Sequence, residues 1–129
     1  MASILLIDEP EELASCIQAL NDQGHVCQWA SCGAEALRRV MMQSPEVVVL
    51  NPNLDGCEGL RTLEALKEFN REMYVILYSD ESLFGESFDY FLADDVISRQ
   101  PDHGQLLKLV REKQMRNFYR SASFHEAFF

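Results

Sequence analysis

The sequence has no long hydrophobic run. Its longest uninterrupted apolar segment covers six residues, 73–78, whereas a membrane-spanning helix needs roughly 20. The amino-terminal residues also lack the basic start and apolar stretch of a secretory signal, because acidic residues follow almost at once. We therefore expect a cytoplasmic protein that does not cross a membrane.

Positive charge is scarce as well. Lysine and arginine total 11 against 21 aspartate and glutamate residues, which gives a formal net charge of −10. Proteins that bind nucleic acid or anionic membranes need a basic footprint, so the composition argues against both kinds of partner. Five of the 11 bases lie in residues 108–120, and this segment is the only cationic stretch of the chain.

The chain lacks the spacing of a disulfide framework or a zinc site. Its four cysteines form no CxxC pair, and its three histidines stand in no metal-ligand pattern. We expect reduced thiols, and we expect the histidines at the surface or at helix ends without a metal or catalytic role. The residues concerned are Cys16, Cys27, Cys32, Cys57, His25, His103 and His125.

What the sequence does contain is a regular alternation of short apolar runs with helical patterns. The runs 4–7, 26–30, 47–50, 74–78 and 96–97 suit strands, and the continuous β-branched ones are typical of parallel strands covered on both faces. Five such units predict an α/β fold, a flavodoxin-like (βα)5 doubly wound parallel sheet with strand order 2-1-3-4-5. No linker rich in proline, glycine or serine divides the chain.

The helices between these strands have recognisable ends. Pro10 suits the first turn of the first helix, and Gly24 suits its end. Asp102 and Gln105 have the spacing of a capping box for the last helix. Apolar residues at helical spacing mark the second, third and fourth helices: Leu37, Val40 and Met41, then Leu60, Leu63, Leu66 and Phe69, then Phe84, Phe88 and Phe91.

Polar residues stand where the predicted strands end, and the ends of parallel strands share one edge of the sheet, where ligands bind. Two adjacent carboxylates at such an edge suit Mg²⁺, and a hydroxyl beside a cation suits a phosphoryl group. The residues are Asp8 and Glu9 after the first strand, Asn51 and Asn53 after the third, Ser79 at the end of the fourth, and Arg99 after the fifth.

Together these segments resemble the receiver domain of two-component response regulators. The resemblance covers about residues 2–115 and rests on four motifs in order: ILLIDEP, VVVLNPNLDGCEGL, VILYSD and ADDVISRQP. In that family an aspartate after the third strand accepts a phosphoryl group from a sensor histidine kinase. The resemblance places Asn51 at this phosphoacceptor position.

The resemblance implies roles for the other residues at the strand ends. Asp8 and Glu9 correspond to the family's acidic metal-binding pair, and Asn53 to the residue whose backbone carbonyl completes that site. Ser79 corresponds to the switch hydroxyl, Val96 to the aromatic switch position, and Arg99 to the family's lysine.

Three of these positions depart from the family pattern. Asn51 is a neutral amide and cannot supply the carboxylate nucleophile that forms an acyl phosphate. Its neutrality also removes a hard ligand, so we expect Mg²⁺ binding to be weak or absent and the acidic pair to be a vestigial metal site. Arg99 carries a planar fork that binds carboxylates, and we expect it to reach Asp8 or Glu9. Val96 has no ring to move.

We therefore interpret the chain as an atypical receiver, a pseudo-receiver without the phosphoacceptor aspartate. It is expected to have no enzyme activity and no cofactor, and to act as a phosphorylation-independent protein-interaction module in bacterial signalling. One alternative is a working phosphorelay receiver that is phosphorylated at Asp55 or Ser79. Another is a flavodoxin-like protein that binds a small ligand, although acids stand where a phosphate-cradling loop would lie.

The carboxyl-terminal residues form a distinct segment. Residues 1–116 are expected to form the receiver-like domain, and residues 117–129 an aromatic tail with no output domain after it. Aromatic residues concentrated at a chain end favour docking on the domain itself or contact with another protein, including a second copy of the chain. The aromatic residues of this tail are Phe118, Tyr119, Phe124, Phe128 and Phe129.

Overall fold

The computed structural model of the 129-residue chain describes residues 2–54, 59–80 and 92–128, with side chains described up to residue 116. Five strands and four helices lie in these ranges. They are β1 (Ser3–Ile7), α1 (Pro10–Asp22), β2 (Val26–Ala30), α2 (Gly33–Gln43), β3 (Val47–Leu50), α3 (Gly59–Phe69), β4 (Tyr74–Ser79), β5 (Asp95–Ser98) and α4 (Gly104–Phe128).

All five strands are parallel and form one sheet in the order β2-β1-β3-β4-β5. The predicted fold class and strand order are therefore confirmed. The three central strands are buried almost throughout, since each is covered by helices on both faces. The register pairs Ile7 with Leu50, and Leu50 with Leu77, so these strands finish at nearly the same level.

The two faces of the sheet carry different helices. On one face α2 and α3 pack against the sheet through a core that includes Val40 and Leu63. On the other face α1 and α4 pack side by side through Leu13, Leu20 and Leu106. The alternation of side chains along each strand produces this division, because neighbouring residues point to opposite faces.

The helix ends follow their sequence signals in part. Pro10 is in the first turn of α1, as predicted. Gly24 follows the end of α1 with a φ of +87°, a left-handed conformation that glycine adopts readily. Met41 and Phe69, which were expected to mark the inner faces of α2 and α3, are exposed by 67% and 47%, so those faces are narrower than the apolar pattern predicts.

The predicted cap of the last helix is confirmed for Asp102, whose side chain accepts the first N–H of the helix, and wrong for the capping-box role of Gln105. Helix α4 begins at Gly104, and the Gly104 N–H donates to Asp102 Oδ1 at 3.0 Å. The Gln105 N–H donates to Gln100 Oε1 at 3.1 Å. The helix start is thus capped from the preceding loop because His103, at a φ of +56°, turns the chain between Asp102 and the helix.

Two other predictions concern residues outside the described ones. The fourth predicted helix (Phe84, Phe88 and Phe91) lies in the undescribed segment 81–91. The side chains of Phe118, Tyr119, Phe124 and Phe128, and all of Phe129, are also outside the description. The backbone of α4 is helical to Phe128, so the expected boundary at residue 116 falls within a continuous helix.

Gly59 begins α3 directly against the loop that follows β3. A Cβ atom at this position would lie 2.5 Å from the Pro52 carbonyl oxygen and 2.7 Å from Pro52 Cα. Gly59→Ala should therefore lower the free energy of unfolding by about 1–3 kcal/mol, because backbone must move to relieve the overlap. Urea denaturation measures this loss.

Gly104→Ala is the matched control, because a Cβ there meets only the flexible Asp102 carboxylate, at 3.3 Å. The control should retain or increase the stability of the protein, since alanine favours a helix over glycine. Equal losses in the two variants would contradict the predicted close approach at Gly59.

Candidate functional site

The ends of β1, β3 and β5 bring the predicted site residues together. Backbone hydrogen bonds continue beyond the strands: the Asn51 N–H donates to the Ile7 carbonyl at 2.9 Å, and the Arg99 N–H donates to the Ser79 carbonyl at 2.9 Å. The first residue after each strand is therefore held in place by the sheet. Asp8, Asn51 and Arg99 converge at this edge as a result.

Asp8 is the centre of the site. Its residue is 7% exposed, and both carboxylate oxygens accept hydrogen bonds. Oδ1 accepts from Asn51 Nδ2 at 3.0 Å and from the Glu9 N–H at 2.8 Å, while Oδ2 accepts from Arg99 Nη2. A buried carboxylate is stabilised by such donors, so Asp8 has its partners within the protein.

Asn51 connects Asp8 to the loop after β3. Its side-chain oxygen accepts the Asn53 N–H at 3.0 Å, a local turn that asparagine commonly forms. Asn53 Nδ2 in turn donates to the hydroxyl of Ser79 at 3.0 Å. The Asn53 side chain thus bonds the buried Ser79, which is a role that the sequence analysis did not predict for it.

These contacts close into a loop of hydrogen bonds, because the Ser79 carbonyl accepts the Arg99 N–H. We call this set of residues the polar ring: Asp8, Asn51, Asn53, Ser79 and Arg99. Every link in the ring is made by protein atoms. The five residues come from four different strand ends, so the ring ties the edge of the sheet together.

Arg99 is the only cation in the polar ring, and its side chain is 7% exposed. Besides Asp8, two carboxylates approach the guanidinium: Asp80 Oδ1 lies 3.2 Å from Nε, and Glu12 Oε2 lies 3.5 Å from Nη1. These two contacts are ion pairs and not hydrogen bonds, since Nε and Nη1 have no hydrogen-bond partner among the described atoms. Tyr78 adds its ring, 4.8 Å from the guanidinium carbon.

The environment keeps Arg99 charged. Burial acts to lower its pKa, but the hydrogen bond from Arg99 to Asp8 and the charges of Asp8, Glu12 and Asp80 outweigh this, and the pKa is raised. Of the two predicted partners of Arg99, Asp8 is the one contacted, whereas Glu9 is not among its ion pairs.

A divalent cation does not fit the residues as they are arranged. The Asp8 oxygens face the amide hydrogens of Asn51 and the guanidinium of Arg99, and Asn51 contributes no charge. Within residues 2–54, 59–80 and 92–128 there is also no group of three or more histidine, cysteine, aspartate or glutamate side chains that could hold a metal ion. The positive charge beside Asp8 belongs to Arg99.

A second polar cluster lies beneath Arg99, and the sequence analysis missed it. His103 is 4% exposed, with Nε2 2.8 Å from the Ser15 hydroxyl oxygen and Nδ1 2.5 Å from the Tyr78 hydroxyl oxygen. Burial raises the pKa of Tyr78 to about 12, while a hydrogen bond from the Gln100 backbone opposes this rise. The phenol therefore stays protonated.

Both ring nitrogens of His103 are therefore engaged by hydroxyl groups, each of which can donate or accept a hydrogen bond. The imidazole is satisfied on both sides, and it links α1, β4 and the start of α4.

The histidines were expected at the surface or at helix ends; His103 does stand at a helix end, directly before α4, but neither of the two histidines whose side chains are described lies at the surface. His103 is buried as above, and His25 is 6% exposed, with Nδ1 accepting the Ala2 N–H at 3.2 Å. His125 lies outside the described side chains. A phenol in an otherwise apolar strand does require a buried partner, and Tyr78 was the sequence signal that could have pointed to His103.

Two further predicted positions complete the site. Val96 is half-buried and packs against the core between the sheet and α2 and α3, opposite Leu77 in the register. Asp55 lies outside the described residues. The roles assigned to Asp8, Glu9, Asn51, Asn53, Ser79, Val96 and Arg99 by resemblance remain predictions.

The ion pair between Arg99 and Asp8 can be tested by a double-mutant cycle. Arg99→Met should lower the free energy of unfolding by about 3–5 kcal/mol, because it leaves Asp8 charged and buried without its cation. Asp8→Asn combined with Arg99→Met should cost less than the sum of the two single changes. Chemical denaturation of the four proteins measures these values.

Arg38→Met is the control, since Arg38 is exposed on α2 and is outside the polar ring. Its effect should stay within about 0.5 kcal/mol. If Arg99→Met had as small an effect as this control, Arg99 and Asp8 would not form the pair described.

His103 should make stability depend on pH. Burial and the nearby charge of Arg99 lower the pKa of His103 from 6.5, so the unfolded chain binds the proton more tightly than the folded one. Stability is then fully present above about pH 6.5 and declines as the pH falls towards the folded-state pKa. His25 acts in the same direction, since burial lowers its pKa too.

The measurement is the free energy of unfolding of the natural chain and of His103→Gln at a series of pH values from about 7.5 to about 5.5. The natural chain should lose stability more steeply over this range than the variant. The same slope in both proteins would show that His103 does not contribute to the pH dependence.

No helix among the residues that the structure describes has the length and apolar character to cross a membrane. This agrees with the absence of long apolar runs in the sequence.

Comparison with solved structures identifies the same fold in response regulators. The protein TrrA of Thermotoga maritima, in complex with Mg²⁺ and BeF, is 22% identical and superposes with a TM-score of 0.81, covering 88% of this chain and 99% of that one. A CheY-like receiver domain protein of Methanospirillum hungatei is 22% identical with a TM-score of 0.82, over 93% of this chain and 98% of that chain. At 22% sequence identity, this structural similarity establishes the fold of the chain.

Longer proteins contain a similar unit. NtrX of Brucella abortus is 23% identical with a TM-score of 0.82, over 95% of this chain but 29% of its own. The transcriptional regulatory protein AfsQ1 of Streptomyces coelicolor is 26% identical over 78 residues, which are 60% of this chain and 35% of that protein. The chain therefore matches only about a third of the length of that curated relative.

The family model for the response regulator receiver domain matches residues 4–111, which include the whole polar ring and all five strands except for Ser3, the first residue of β1. The sheet order and the convergence of Asp8, Asn51, Ser79 and Arg99 at its carboxyl edge agree with this match. The chain belongs to the response regulator receiver domain family of two-component signalling.

Proposed function

We propose that this receiver works without phosphoryl transfer, as a protein-interaction module with a permanently closed site. The observation that carries the proposal is the hydrogen bond from the Asn51 side-chain amide to Asp8 Oδ1 at 3.0 Å. At the position where the family has its phosphoacceptor, this chain points a donor at a neighbouring carboxylate. A nucleophile would have to present an oxygen to the incoming phosphorus.

The chemistry of Asn51 supports the proposal. Its amide oxygen is engaged by the Asn53 N–H at 3.0 Å, and an amide oxygen is a far weaker nucleophile than a carboxylate because its electrons are delocalised over the C–N bond. Hydrolysis of this amide to a carboxylate is also hindered. Pro52 follows Asn51 and has no N–H with which to attack the side chain.

The charge of the site supports it as well. In our proposal Arg99 supplies, as a fixed part of the fold, the positive charge that a divalent cation would bring, and Mg²⁺ binds weakly or not at all. Binding the ion would require Asp8 to give up Arg99, whose guanidinium would then lack its buried hydrogen-bonded partner. Mg²⁺ dehydrates reluctantly, so it competes poorly with a cation already in place.

The two switch positions fit a site with one conformation. Ser79 is 3% exposed and accepts a hydrogen bond from Asn53, so rotation of its hydroxyl towards a phosphoryl group would break a buried contact. Val96 has no aromatic ring that could exchange between inner and outer positions. We propose that partners recognise the surface of this single state.

The partner that we propose is a protein of a signalling pathway. A histidine kinase, ThkA, forms a complex with the related receiver TrrA of Thermotoga maritima, so contact with a kinase is compatible with this fold even where no phosphoryl group is transferred. The carboxyl-terminal part of α4, with its aromatic residues, remains our candidate for the surface that contacts this partner. In this proposal the chain binds another protein and catalyses no reaction.

Phosphorylation at another residue is the second candidate. Ser79 is the described alternative acceptor, but its burial and its bond to Asn53 oppose access. Asp55, the other alternative, is outside the described residues. A phosphate-binding flavodoxin-like function is opposed by the carboxylates of Glu12 and Asp80 at the mouth of the site, since they repel anions.

The test is incubation with acetyl phosphate and Mg²⁺ followed by intact mass spectrometry. The natural chain should gain no phosphoryl group. Asn51→Asp combined with Arg99→Lys, which restores a carboxylate and frees Asp8, should gain one that is lost in base, as acyl phosphates are. This variant shows that the assay can detect phosphorylation in the same fold.

Gain of a labile phosphoryl group by the natural chain would contradict the proposal. In that case Asp55→Asn and Ser79→Ala identify the acceptor, because only removal of the true acceptor abolishes the gain. Loss in either variant would establish the alternative function.

A further inference from the structure

Strand β2 forms one edge of the sheet. Among the strands that the structure describes, β1 is its only neighbour. The Val26 N–H donates to the Ala2 carbonyl at 2.9 Å, so Val26 and every second residue after it bond to β1. Because successive residues of a strand direct their backbone groups to opposite sides, the N–H and carbonyl groups of Cys27 and Trp29 face outward, away from the sheet.

This edge has none of the features that usually prevent a free strand from pairing. Natural proteins protect such edges with charged side chains, prolines or bulges. Residues 23–34 contain no aspartate, glutamate, lysine, arginine or proline, although 25% of the chain is charged. Val26 and Trp29 are each 50% exposed, whereas the other edge strand, β5, begins with the charged residue Asp95. The edge of β2 is therefore a surface that can accept another strand.

The outward-facing groups are arranged symmetrically about Gln28. When a second copy approaches in the antiparallel direction across a twofold axis at Gln28, the two Gln28 residues face each other, and Cys27 of each copy faces Trp29 of the other. Cys27 and Trp29 then form hydrogen-bonded pairs, in which the two residues exchange both of their backbone bonds. Every outward-facing group of the two strands is satisfied at this register, so the strand is its own complement.

The charges beside the edge match in the same register. Arg39 of α2 lines a groove of about 100 Å³ together with Val26 and Gln28, and its Nε is buried without a hydrogen-bond partner among the described atoms. Glu35 lies towards the other end of the strand, where its carboxylate accepts the Ser31 N–H at 3.5 Å. Antiparallel pairing brings the Arg39 end of one strand against the Glu35 end of the other. The ion pair of 3.3 Å that these residues form within one copy is thereby extended across the axis.

We infer that the protein pairs with a second copy of itself along β2, in the antiparallel direction, so that the two sheets join into one continuous sheet. The two Trp29 side chains then lie on the same face, diagonally across the axis, at a separation that aromatic side chains can span. The charge of −10 on each copy opposes approach, and this repulsion is weakest at an uncharged edge.

A second copy fits this edge better than an unrelated extended segment does. Any strand would bond the outward-facing backbone groups of β2, but only a segment with the same order of charges would also match Glu35 and Arg39. A second copy meets both conditions. The inference does not depend on whether the polar ring excludes phosphorylation, so its failure would leave the proposed function unaffected.

A cross-link tests the register. Residues that face each other in a non-hydrogen-bonded antiparallel pair have Cα atoms about 4.5 Å apart, which is within the range that a disulfide bond spans. Gln28→Cys should therefore give a disulfide-linked dimer under copper-catalysed air oxidation, visible on a non-reducing gel. The natural chain should give none through Cys27, which lies opposite Trp29. Gln105→Cys is the matched control, because Gln105 is exposed on α4, away from β2.

A charge placed on the edge should abolish the dimer. Trp29→Lys puts an ammonium group at the pairing edge of both copies. Phe69→Lys is the matched control, since Phe69 is an aromatic residue of α3 with a similar exposure of 47% and the net charge changes equally. Sedimentation velocity at an ionic strength of about 0.15 M, which screens charges beyond about 8 Å, should show dimers of the natural chain and of Phe69→Lys, and a monomer of Trp29→Lys.

Circular dichroism and the thermal midpoint check that each variant is folded, and the cross-link of Gln28→Cys decides alone if Trp29→Lys does not fold. A natural chain that stays monomeric would overturn the inference. A folded Trp29→Lys protein that still dimerises, or a Gln28→Cys protein that cross-links no faster than Gln105→Cys, would overturn it equally.

Discussion

The buried ion pair between Arg99 and Asp8 is the contact on which the rest of the site depends. It joins the first and last strands of the chain at the edge of the sheet, and Arg99 holds it with a side chain that is only 7% exposed. Asn51 and the Glu9 N–H complete the coordination of the same carboxylate. Without the guanidinium, Asp8 would be a buried charge with amide donors only, which is an unfavourable state.

The same pair explains why the site forms one arrangement. Replacing both members of a buried ion pair by apolar residues often leaves the free energy of unfolding unchanged, whereas removing only one member lowers it strongly. The pair of Arg99 and Asp8 therefore favours one arrangement of these two side chains more than it adds to the stability of the whole fold. The ring of Tyr78 packs against the guanidinium of Arg99, and the hydroxyl of Tyr78 is hydrogen-bonded to His103. A series of contacts thus runs from the polar ring to the face formed by α1 and α4.

Sequence reasoning predicted those features that repeat locally. The alternation of apolar runs with helical spacing determined the sheet and its order, and the position of Arg99 after β5 indicated its contact with Asp8. It failed where contacts join distant residues: Ser15 and His103 are 88 positions apart, and nothing local in the sequence pairs them. The cap of α4 was predicted in part: Asp102 accepts the Gly104 N–H, but the positive φ of His103 shifts the helix start by one residue, and the Gln105 N–H bonds Gln100.

A crystal structure of the natural protein grown with magnesium and beryllofluoride, a mimic of a phosphoryl group, tests the central claim most directly. The account predicts that Arg99 stays on Asp8, that Asn51 keeps its bond to the same carboxylate, and that neither ion binds between them. Both ions bound beside Asn51, with Arg99 displaced from Asp8, would contradict it.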